Sequence, residues 1–213
     1  MARRRVAILI SGRGSNMTAL IEAARDPAYP AEIVLVASNR AEAPGLDRAR
    51  SEGIATAVVE HSAFGKDRAA FENALQSVLE THRVELICLA GFMRLLTTGF
   101  VTRWQNRMLN IHPALLPAFK GLHTHERALA EGVTEHGATV HFVVPDMDAG
   151  PIVAQGAVPV MANDTPETLG ARVLAVEHRI YPQALKLLAE GRLHVEGEIC
   201  RVDAPEARKQ EAR

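Results

Sequence analysis

With 213 residues, 47% apolar and 23% charged, the chain has an ordinary globular composition and enough length to bury a core without staples, which excludes fibrous, disordered and membrane-embedded classes. Its formal net charge of -1 lacks the basic excess that nucleic-acid phosphates demand, so the expected partners are small molecules, with no nucleic acid and no membrane. The 2 cysteines, Cys88 and Cys200, make no disulfide framework and suit a reducing compartment. The apolar run after Arg3-Arg4-Arg5 is too short for a signal peptide, and no run approaches the roughly 20 residues of a spanning helix. The expected location is cytoplasmic.

In chain order, residues 6–10, 33–37, 56–59, 86–90 and 108–111 read as short strands rich in Val, Ile and Leu. Helices fit between them at 17–25 (capped by Asn16), 45–52, 67–81 and 98–104. This alternation predicts an α/β fold, a Rossmann-like, mostly parallel sheet flanked by helices. After Gly121 a short helix around 125–131 is followed by strands at 139–144 and 152–160, joined by a turn through 145–151. They are expected to add antiparallel strands to the C-terminal part of the sheet. A long helix then starts at Asp164 or Thr165, with Pro166 in its first position and Glu167 in its first turn, and Tyr181-Pro182 is expected to kink or break it. The organisation read from this is one domain over 1–200 and a charged, frayed tail over 201–213.

Ser11-Gly12-Arg13-Gly14-Ser15-Asn16 lies between the first strand and the first helix, where glycines admit a ligand to the backbone and free N–H groups favour an anion, above all phosphate. The dinucleotide fingerprint competes for this loop. It wants a third glycine where Met17 stands and an acidic residue after the second strand, where Asn39-Arg40 stands. Arg40 could instead meet the 2'-phosphate of NADP, which keeps an oxidoreductase reading open.

Asn110-Ile111-His112-Pro113 closes the fifth strand, and alternation puts Asn110 and His112 on the same side of it. Pro113 takes the chain out of the sheet, so both side chains fall at the carboxyl end of a strand, where open α/β sheets bind ligands. Asp148, in the turn with Asp146, Gly150 and Pro151, is the third candidate. Singly, each has an ordinary role as a cap or turn residue. Together, an amide, an imidazolium and a carboxylate suit an oxyanion developing on a carbonyl, the chemistry of acyl or formyl transfer. No Gly-x-Ser-x-Gly elbow suggests a covalent intermediate.

These segments, with Leu89-Ala-Gly-Phe-Met-Arg94, Asn110-Ile-His-Pro-Ala-Leu-Leu-Pro117, Lys120-Gly121 and Asp148-Ala-Gly-Pro-Ile, resemble the folate-dependent formyltransferases. The glycine loop points to the branch that acts on glycinamide ribonucleotide. The resemblance implies transfer of formyl from 10-formyltetrahydrofolate, as co-substrate, to the amine of 5'-phosphoribosylglycinamide, a step of purine biosynthesis, by direct attack through a tetrahedral intermediate. It implies that Asn110 and His112 stabilise the oxyanion, while Asp148 holds His112 charged and helps pass the amine proton to the folate nitrogen. Gly14, Ser15 and Asn16 would hold the acceptor's phosphate, and Glu177 its ribose hydroxyls. Arg68, Met93, Arg94, Leu95, Leu96, Phe100, Asn110 and Val143 would hold the folate. Relatives often carry glycine at Ala149, which matters only where the backbone φ is positive. Relatives that act on methionyl-tRNA carry a C-terminal domain for which this chain is expected to lack the length and the basic stretch, and relatives that hydrolyse formyltetrahydrofolate carry an N-terminal regulatory domain and lack this glycine loop.

His123 and His125 lack the further ligands that a metal site needs, so no metal is expected. His141 reads as buried or pocket-lining, and His61, His82, His136 and His194 as surface residues. Residues 117–125 are the candidate for a loop over the site. Either a monomer or a homodimer is compatible with this reading.

Overall fold

Val6, Ile8 and Ile10 of β1 (Arg4–Ile10) pack on one face of a sheet and Ala7 and Leu9 on the other, which is why the strand is apolar throughout. The computed structural model describes residues 2–203. Beside β1 lie β2 (Ala31–Ser38), β3 (Thr56–Val58), β4 (Leu86–Leu89) and β5 (Met108–His112), all parallel, then β6 (Glu135–Phe142), antiparallel to β5, and β7 (Ile152–Pro159), antiparallel to β6. The 7-stranded sheet runs β3-β2-β1-β4-β5-β6-β7. The chain therefore winds outward from β1 to β3 and returns to the other side of β1 at β4. Such a reversal opens a crevice at the carboxyl ends of the strands.

One face is covered by α1 (Ser15–Ala24), α2 (Pro44–Ser51) and α6 (Pro166–Ala189), the other by α3 (Arg68–Thr81) and α4 (Thr98–Arg103), with α5 (Thr124–Ala130) following β5. The expected strands and helices are all present, with ends shifted by a few residues, and Thr165 caps α6 in a capping box with Thr168. Three features differ from the sequence reading. Asn16 does not cap α1, because Gly14 takes the left-handed conformation (φ 69°) and the helix already begins at Ser15. Pro182 does not break α6, whose buried stripe through Val173, Ile180, Tyr181 and Leu185 holds it to the sheet. Residues 201–202 are not tail but part of a hairpin, β8 (Leu193–Glu196) with β9 (Ile199–Val202), and the remainder of the expected tail lies outside the described residues.

Tyr181 ties α6 to the middle of the sheet. Its fully buried hydroxyl reaches the carbonyls of Leu89 (2.9 Å) and Leu109 (3.1 Å), the neighbouring strands whose ends carry candidate site residues. Tyr181→Phe is expected to cost about 1 to 3 kcal/mol, the scale of leaving buried acceptors unpaired, as read by urea unfolding. An unchanged midpoint would rule out that tie.

Candidate active site

The turn after β1 exposes backbone donors. Gly14 swings the chain into α1, and the first N–H to bond back is that of Thr18, to the Gly14 carbonyl (3.0 Å). The N–H groups of Ser15, Asn16 and Met17, one turn earlier, have no intrahelical acceptor at the positive end of the helix dipole. The Asn16 amide, instead of capping, donates to Glu177 on α6 (2.5 Å). Burial pushes the Glu177 carboxyl above its usual range, and the Asn16 bond opposes that shift. Ser11 donates to Asn39 (2.5 Å) and accepts the Met93 N–H (2.8 Å), which joins this loop to the ends of β2 and β4. The resulting cleft, about 300 Å³, is lined by Ser11 to Asn16, Arg40, Gly91 and Met93.

Asn110, half-buried, and His112, buried, stand on β5 opposite His141 and Thr139 of β6. His112 Nε2 donates to the Phe119 carbonyl (2.8 Å), and its Nδ1 lies 3.5 Å from Asp148 Oδ2. The other Asp148 oxygen is 3.7 Å from His141 Nε2. His141 Nδ1 donates to the Phe142 carbonyl (2.9 Å), which leaves Nε2 to accept from the Asn110 amide (3.2 Å). Burial, the largest influence, holds the His141 imidazole below its ordinary range against the opposing pull of Phe142 and Asp148. The three candidates thus form a chain through His141, from Asn110 by way of Asp148 to His112, and the sequence placed His141 in the pocket but gave it no part in the chemistry.

Asp148 reaches the two histidines from a strained turn with φ 50°. Its Oδ2 also accepts the Gly121 N–H (2.9 Å), which draws the segment after β5 toward the site. The positive φ falls on Asp148 and not on Ala149, so the alanine there adds no backbone strain.

Beside Asn110 and Asp148 opens a cleft of about 360 Å³. Of the residues expected to hold a folate, Arg68, Arg94, Leu95, Leu96, Asn110 and Val143 line it. Arg68 is fixed there by donating to the Leu95 carbonyl (2.5 Å). Met93 lies on the glycine-loop side instead, because its N–H is drawn to Ser11, and Phe100 is buried in the core behind α4. Phe92, Val144, Pro145, Asp146 and Met147 also line the cleft, and sequence reasoning missed them.

The remaining histidines diverge. His123 is exposed beside Glu126, whereas His125 Nδ1 faces His136 Nε2 (3.1 Å). His136 is wholly buried and not a surface residue, because the antiparallel strand that carries it is covered on both sides. Burial first and His125 second push its imidazole from 6.5 to about 4. The folded chain keeps it neutral where the unfolded chain takes up a proton, so stability is expected to fall as pH drops from about 6.5 toward about 4. Urea midpoints across that window would measure this, with a gentler slope for His136→Gln. Parallel slopes in both proteins would refute the assignment.

Comparison with known proteins places this geometry in a lineage. A family model described as formyl transferase matches residues 4–185. The trifunctional purine biosynthetic protein adenosine-3 of Bos taurus is 53% identical over 200 residues, covering 93% of this chain, which spans 20% of that protein. The phosphoribosylglycinamide formyltransferase of Escherichia coli (strain K12) is 45% identical over 188 residues, covering 88% of each chain. The crystal structure of glycinamide ribonucleotide transformylase 1 from Symbiobacterium toebii superposes with a TM-score of 0.91 at 46% identity, covering 94% of each chain. On this evidence the chain belongs to the formyl transferase family.

Proposed function

We propose that the protein transfers the formyl group of 10-formyltetrahydrofolate to the amine of 5'-phosphoribosylglycinamide, a step of purine biosynthesis. The observation that carries the reading is the convergence of Asn110, His112 and Asp148 between an amide-lined loop and a separate cleft. Two reactants, one of them a phosphate ester, then meet at one carbonyl. The names of the bacterial relatives support the acceptor.

The acceptor's phosphate sits on the N–H groups of Gly14, Ser15 and Asn16, and Glu177 accepts from its ribose hydroxyls. The pterin occupies the cleft beside Leu95, Leu96 and Val143, with Arg68 and Arg94 at its polar rim. The amine lone pair attacks the formyl carbon, and the carbonyl electrons move onto oxygen, where Asn110 and His112 donate hydrogen bonds. His112 gives up the Phe119 carbonyl to do so, and Asp148 balances its charge. Breaking the bond from carbon to folate N10 returns the electron pair to N10, which takes the proton that the amine loses.

Incubating the protein with both substrates and following the absorbance change from formylfolate to tetrahydrofolate tests the reading. The change is expected only with both present, and its absence would sink the assignment.

A further inference from the structure

Arg40 has no part in the chemistry described so far, and its position calls for one. The register of β1 and β2 sets Ile10 beside Ser38, so the residues two past each strand end, Gly12 and Arg40, run together along the sheet edge. Both line the glycine-loop cleft, as does Arg13. The backbone beneath Arg40 is firmly held: its N–H donates to Ser38 Oγ (3.0 Å), and the preceding Asn39 is buried and bonded to Ser11. The two guanidinium groups are nevertheless free. Nearby, Arg25, Arg48 and Arg50 pair with Glu22, Glu52 and Asp47, whereas neither Arg13 nor Arg40 forms an ion pair or donates a side-chain hydrogen bond among the described residues.

A helix N-terminus presents only about half a positive charge, which leaves most of a phosphate dianion uncompensated. A guanidinium supplies a full charge and a planar fork matched to phosphate oxygens. We propose that Arg40, assisted by Arg13, neutralises the acceptor's phosphate and sets the preference for a phosphorylated acceptor over the free riboside. This rests on the proposed function, since it assigns the determinant of substrate choice at the same cleft.

Initial rates of the parent, Arg40→Ala and Arg40→Lys with phosphorylated and dephosphorylated acceptor test it, alongside binding of inorganic phosphate by calorimetry. For Arg40→Ala the KM of the phosphorylated acceptor is expected to rise about tenfold, with kcat and the KM of the formyl donor within about twofold. The KM of the riboside should not move, phosphate binding should weaken, and lysine should restore part of the loss. A KM unchanged for the phosphorylated acceptor, or raised equally for the riboside, would overturn the proposal. So would NADPH binding that Arg40→Ala abolishes while acceptor kinetics stay as they were, because Arg40 would then read a nucleotide. If the parent transfers no formyl group the proposed function falls, and calorimetry decides this inference alone: weaker phosphate binding in Arg40→Ala supports it, equal binding overturns it.

Discussion

Replacing His112 with alanine is expected to remove about 2 to 4 kcal/mol of transition-state stabilisation, a fall of about 30- to 1,000-fold in kcat, the scale of one oxyanion donor. The imidazole is buried and faced on its Nδ1 side by Asp148, so most of its ordering precedes the substrate, and only the Phe119 bond has to be exchanged for the oxyanion. A solvent-exposed histidine would spend energy on that ordering during the reaction. Removing it leaves the clefts intact, so the KM of each substrate should change far less than kcat. Steady-state kinetics with both substrates varied gives the answer. Turnover within threefold of the parent, in a variant whose circular dichroism is unchanged, would take His112 out of the mechanism.

Gly150→Ala, two residues past Asp148 in the same turn, is expected to do comparable damage. A Cβ built there would lie 1.8 Å from the Phe142 carbonyl oxygen and 2.8 Å from its carbon, and neither backbone atom can rotate aside. The same carbonyl takes the His141 hydrogen bond, and the Phe142 N–H bonds to Pro151 (2.9 Å), so both strands at this turn would have to part. A loss of about 3 kcal/mol or more follows if the turn resists. If the turn yields, Asp148 is carried away from His112, and a displacement of about 1 Å can itself cost roughly 100-fold in rate. Urea unfolding and kcat, measured on the same preparation, separate the two outcomes. Parent-like values in both would show that the turn is looser than this packing implies.

Much of this arrangement could be read in the sequence because it depends on neighbours along the chain. The apolar runs from Val6 to His112 are bounded by turn residues and carry strands buried on both faces, so their order and type follow from composition. Asn110 and His112 were legible for the same reason: one strand, period two, ended by a proline. What escaped depends on pairings between distant segments. His141 joins the candidate residues because β5 and β6 pair in a register that puts it opposite Asn110, and a shift in the β6–β7 ladder between Val140 and His141 locally re-aims the strand. No local pattern announces either. The resemblance implies a place for Phe100 among the residues that hold the folate, yet the turn of α4 directs it into the core. The hairpin over β8 and β9 did leave a signal, apolar alternation around Gly197, which the abundance of charge in that stretch obscured.

The bond between Asn16 and Glu177 spans 161 positions of the chain. A ribosome releases the glycine loop well before α6, so until that helix emerges the nascent protein displays the turn without the carboxylate that anchors it. On the proposed function, acceptor affinity is therefore expected to arrive abruptly, when α6 docks.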